Sequence, residues 1–131
     1  MGTTVNLNNT PTELSQANDS IVIKRNLDSI EGGRSLDVTG VAEPVLKAGH
    51  VIIMETATGV CKPMPVTGAA YASLPANHEY IGILVGSILT SKPFAGIMVR
   101  GTVNPNATPF PMTAILAAFK TAKPLIDFRA D

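Results

Sequence analysis

The sequence predicts a small, mainly β domain with one short helix and an extended N-terminal arm. Three observations carry that prediction. Two long apolar runs rich in β-branched residues, Tyr80–Leu89 and Phe94–Val103, face each other across a Ser91-Lys92-Pro93 turn. Only one stretch, ending near Ala122, has apolar residues at helical spacing. The first 19 residues are rich in Asn and Thr and carry only Val5, Leu7 and Leu14 as sizeable apolar groups beyond Met1.

Taken in order, the leader buries too little surface to offset the entropy of ordering it, so mobility is expected unless a partner holds it. The alternation at Val5-Asn6-Leu7, and again at Ile21-Val22-Ile23-Lys24, is strand-like. Two readings of the leader stand side by side: a frayed tail before an ordinary first strand, or an arm that adds a strand to a neighbouring chain. Glu31-Gly32-Gly33-Arg34 is a turn or hinge, because paired glycines tolerate positive φ. The chain therefore divides into an arm and hinge, residues 1–34, and a β-rich domain, residues 35–131.

Within the domain, Ser35–Thr39 alternates as a strand and Gly40 stops it. Lys47-Ala48-Gly49-His50 is a tight turn into Val51-Ile52-Ile53-Met54, whose continuous apolar character marks a buried strand. Thr56–Gly59 turns the chain into Val60-Cys61-Lys62, a short hairpin, and Pro63 and Pro65 close it because they lack the ladder donor. Residues 66–79 are small and polar, and predict a loop. Gly82 and Gly86 weaken a helix in Tyr80–Leu89 and favour a bent central strand, with Phe94–Val103 as its antiparallel partner. Thr108 or Thr113 is the expected cap of a helix running to Ala122, with Met112, Ile115, Leu116 and Phe119 on one face. Pro124 ends it, and Leu125–Arg129 alternates as a terminal strand.

Composition narrows the function. The 131 residues make one domain that folds without staples, burying roughly two-thirds of the surface its unfolded chain exposes. Charged residues make up only 15%, against about 25% in ordinary globular chains, which points either to surface covered by a partner or to Thr, Ser, Asn and Pro supplying the polarity instead. Ten basic residues balance ten acidic ones, so the phosphate-neutralising excess of a nucleic-acid binder is missing. Apolar stretches are interrupted within ten residues, too short to span a bilayer. The N-terminus lacks the basic and apolar regions of a secretory signal and the Ser or Thr of a myristoylation site, and a single cysteine forms no internal disulfide. The expectation is a protein made inside the cell.

The residues that do chemistry are sparse. Cys61 as a nucleophile would need a histidine base, and only His50 and His78 exist; a lone strand cysteine reads as a small buried hydrophobe. His50, Cys61 and His78 have none of the paired spacing of a zinc site, and a histidine following Gly49 in a turn is expected to face solvent. Asp37, Glu43 and Glu55 are scattered near turns, unlike the convergent pair of a glycosidase. There is no phosphate-binding glycine motif and no Trp for stacking. No catalytic residue, metal or cofactor is expected.

From Val45 onward the chain resembles the capsid decoration proteins of tailed phages, the group typified by the phage lambda head decoration protein. The likeness lies in four features in order: Leu46-Lys47-Ala48-Gly49-His50-Val51-Ile52; Thr58-Gly59-Val60-Cys61-Lys62-Pro63; Tyr80-Ile81-Gly82-Ile83-Leu84 followed by Val99-Arg100-Gly101-Thr102-Val103; and a helix at Met112–Ala122 with a strand at Leu125–Arg129. The resemblance covers about two-thirds of the chain. It implies a β-clip-like domain, a homotrimer, and attachment to the major capsid protein on the outer surface of a virion assembled in the host cytoplasm; the charge balance and the short apolar stretches add the expectation of no nucleic acid or membrane partner. It also implies an N-terminal arm that pairs with the shell, and Val5, Leu7, Ile21 and Ile23 are the residues expected to face the capsid. The sequence departs from the family in its longer linker through Gly32-Gly33 and in more proline around the helix. A head-fibre base protein, a non-viral β module binding a ligand or protein, and a small enzyme built on His50, His78 and the acids are the competing readings.

Overall fold

The computed structural model describes Gln16 and residues 18–130. The protein is mainly β, with two short helices among the described residues. In order the elements are α1 (Asp19–Val22), β1 (Ile23–Ser29), β2 (Arg34–Ser35), β3 (Val45–Leu46), β4 (Val51–Glu55), β5 (Cys61–Pro63), β6 (Val66–Thr67) and β7 (Ala70–Tyr71). They continue with β8 (His78–Leu84), β9 (Ile88–Leu89), β10 (Phe94–Ala95), β11 (Ile97–Val103), α2 (Leu116–Ala122) and β12 (Ile126–Phe128). Six strands form one sheet in the order β1-β11-β8-β4-β5, with β12 lying parallel to β11. Three small antiparallel pairs, β2–β10, β3–β9 and β6–β7, complete the fold.

The central strands are apolar on both faces because both faces are covered. Val51, Ile53, Ile83 and Met98 pack with Phe119 and Ile115 of the α2 region in one cluster. Ile52, Ile81, Leu84 and Ile97 pack with Leu36, Leu46, Cys61 and Ala95 in a second. The alternation of Val51, Ile52 and Ile53 between clusters is the period-two geometry of a strand. The sequence runs therefore form the core as expected: β8 pairs antiparallel with β11 through Leu84↔Ile97 and Ile83↔Met98. A register shift at Ile52/Ile53 bends the β4–β8 ladder. Gly82 is required at its position, because a Cβ there would collide with the Met98 carbonyl oxygen. The β4–β5 hairpin closes through Glu55 and Val60, and Gly32 and Gly33 take positive φ as their turn demands.

Several elements differ from expectation. Ile21 and Val22 are helical, and strand geometry starts only at Ile23. Residues 23–29 pair with β11 in the main sheet, so this part of the expected arm is built into the domain. Ser35–Thr39 is not a full strand: Leu36 makes a single bridge to Cys61, and Asp37 then accepts hydrogen bonds from the backbone and hydroxyl of Thr39, turning the chain. Part of the expected 66–79 loop is the β6–β7 hairpin. The helix starts at Leu116 without a side-chain cap; Thr108 instead donates its hydroxyl to the Pro105 and Phe110 carbonyls, holding a proline-rich loop. The terminal strand forms as predicted, but in parallel with β11.

Candidate binding surface at the root of the leader

The place where the leader joins the domain is fixed by α1. Asp19 accepts the backbone N–H of Ser87 at 2.9 Å on one carboxylate oxygen and the Ser87 hydroxyl at 2.7 Å on the other. The same hydroxyl oxygen accepts the N–H of Ala48 at 3.1 Å. One turn further on, Val22 is buried against Gly49, whose φ of +91° and absent side chain make the contact feasible: a Cβ there would collide with Val22 Cγ1. The Val22 carbonyl accepts the N–H of Asn104 at 2.8 Å. A four-residue helix is thus tied to three separate segments, around residues 48, 87 and 104. A recess of about 240 Å³ lies beside it, bordered by Asn18, Lys47 and Pro109.

Of the four residues expected to meet a capsid, Val5 and Leu7 lie outside the described residues. Ile21 is 53% exposed on α1. Ile23, opposite Val103 in the sheet, is half-buried and packs against the first core cluster, so it presents less of its side chain.

Lys47 and Pro109 also border a larger groove of about 600 Å³. It is lined by residues of the segment from Asp37 to Leu46, by Lys62 to Val66, and by Phe110. The groove size falls in the range of small-molecule and peptide sites. His50 lies at its base. In contrast to the solvent-facing turn histidine that the sequence predicts, it is 4% exposed, because Tyr71 and Phe110 stand edge-on to its ring at 5.4 and 5.7 Å. Its Nε2 lies 3.0 Å from the Met64 carbonyl oxygen, so that nitrogen carries the proton and donates. Burial lowers the His50 pKa and keeps the ring neutral, with the Met64 carbonyl and Glu43 acting in the opposite direction. Burial likewise pushes the Tyr71 phenol well above its usual range, while its oxygen accepts the N–H of Val51 at 3.1 Å. Nothing in the sequence near His50 announces this cluster, since Tyr71 and Phe110 arrive from distant segments. The Pro63-Met64-Pro65 alternation is the one local signal of an apolar wall.

The remaining chemistry-bearing residues stand apart. Cys61 is a buried free thiol in the second cluster, raised in pKa by burial, and His50 lies with Tyr71 and Phe110 instead. His78 Nδ1 donates to the Ala76 carbonyl at 2.7 Å, and Glu55 accepts the Thr58 hydroxyl. Hydrogen bonds from Thr39 hold the Asp37 carboxyl below its usual pKa. Among the described residues no three His, Cys, Asp or Glu side chains gather as metal ligands, and no helix is long and apolar enough to cross a membrane. No protein-family model, curated protein or solved structure matches this chain.

Proposed function

We propose that this protein is an auxiliary capsid protein of a tailed phage, which decorates the outer surface of the shell as a homotrimer and stabilises it without catalysis. The observation that carries the reading is the rooted leader. Adhesion through a polar N-terminal arm needs that arm held at a fixed point, and Asp19, Val22 and Ser87 supply one, with Ile21 exposed beside it. The order of turn, hairpin, glycine-bearing strand, helix and terminal strand supports the same reading, as does the low charge of the chain. No reactive group is needed. A trimer that touches several shell subunits gains avidity from multivalency and bridges the seams between capsomers.

A second reading, a β module that binds a ligand or protein partner, is favoured by the groove over His50. One experiment separates them. Expanded shells of the phage that encodes the chain, freed of auxiliary proteins, are incubated with purified protein and pelleted. The decoration reading expects saturable co-sedimentation, a higher shell rupture temperature, and a trimer by light scattering. Protein that stays in the supernatant at every concentration overturns it.

A further inference from the structure

The continuously described part of the chain begins at Asn18, in the recess bordered by Lys47 and Pro109, and the same two residues border the groove over His50. We infer that the groove is the docking site of the leader segment Thr12–Ser15 of the same chain. Reach permits it: Gln16 is held at α1, its carbonyl accepting the Asp19 N–H at 3.2 Å, and at about 3.3–3.6 Å per residue the two steps back to Leu14 span up to roughly 7 Å, enough to enter a groove that opens beside the starting point. Val5 and Leu7 stand far enough upstream to extend beyond it. The inference therefore does not rest on the decoration reading, and failure of shell binding leaves it standing.

The chemistry matches on two counts. Val41, Val45, Pro65, Val66 and Phe110, none of them fully buried, give the groove an apolar lining, and Leu14 is the sizeable apolar residue of the leader that lies nearest in the chain. Lys47 and Lys62 stand at its rim; Lys62 faces the field of Asp37, while Lys47 makes no close ion pair among the described residues, and Glu13 is the only charged side chain in residues 1–17. Of the two acids at the same rim, Asp37 has its carboxylate engaged by Thr39, and Glu43 projects from the opposite loop. Pro63 and Pro65 lack N–H donors, so that wall cannot add a guest strand along its length, and side chains must hold the segment. A tether this short favours docking within one chain over docking between copies, through its high effective concentration.

The test uses backbone amide resonances of the full chain and of Leu14→Ala. Docking predicts shifts at Val41–Lys47 and at Lys62, Met64 and Val66, with β12 unmoved and the pattern independent of protein concentration. Glu13→Gln should give a smaller change in the same direction. Lys62→Glu should reproduce that change, and pairing it with Glu13→Lys should reverse it. Leu14→Ala spectra that superimpose on the full chain overturn the inference. So does a groove signal that fades on hundredfold dilution, which assigns the occupant to a second copy.

Discussion

Strands β1 and β8 are both seven residues long and both pair with β11, yet they do opposite work. In β8 the last five residues are buried, and they contribute to both core clusters. In β1 the central five, Lys24 to Asp28, are exposed, and the ladder to β11 carries three register shifts. Irregular, charged edges of this kind resist unwanted strand pairing. The difference teaches that the sheet has a structural centre and a positional margin. β8 holds the domain together, while β1 brings α1 to one place beside the recess that Lys47 and Pro109 border.

The contrast breaks if the two strands respond alike to truncation. Ile83→Ala, at a fully buried position of β8, is expected to cost about 2–5 kcal/mol in urea-induced unfolding, through lost transfer energy and a residual cavity. A cost close to zero would mean that the two-faced core is not the source of stability. At the margin, Asp19→Ala removes the acceptor of both Ser87 hydrogen bonds, and about 1–2 kcal/mol is expected for a half-buried, charge-assisted pair. The sharper readout is local: hydrogen exchange at Ala48 and Ser87 should accelerate while the amides of β8 keep their protection.

Acid sharpens the comparison further. His50 has a lower pKa folded than unfolded, so between those two values the unfolded chain binds the extra proton. Its contribution is fully present above about pH 6.5 and is lost as pH falls toward the folded pKa, at a slope of at most about 1.4 kcal/mol per pH unit. His50→Gln, which keeps a donor for the Met64 carbonyl, should flatten stability against pH in that range. An unchanged curve would place the acid sensitivity elsewhere. The smallest effect is expected at Leu27, 56% exposed on β1: Leu27→Ala should stay within about 0.5 kcal/mol of the parent in the same urea titration.

What is legible in the sequence follows the same division. The strands at Val51–Met54, Tyr80–Leu84 and Ile97–Val103 are readable because continuous apolar runs and their glycines reflect local geometry and burial together. A glycine inside an apolar strand signals a bend or a close backbone approach, and Gly82 meets Met98 in that way. The margin is harder to read. Ile21-Val22 has strand-forming side chains, but Asp19 engages Ser87 across 68 residues and winds the segment into a helical turn. Thr108 resembles a cap, yet its hydroxyl serves the loop around Pro105 and Phe110. His50 carries no local mark of burial, since the rings that cover it come from Tyr71 and Phe110. In each case the deciding partner lies outside the local pattern, where neither propensity nor periodicity reaches.

The pairing of Ile23 with Val103 has a consequence for assembly. During synthesis β1 emerges before β11, so this pairing cannot form until β11 has been made, and closing so long a loop is entropically slow beside the local β4–β5 hairpin. Strand β1 and the α1 turn before it are thus made well before they acquire a fixed place in the sheet. A newborn chain therefore cannot present the α1 surface, exposed Ile21 included, before the body behind it is complete.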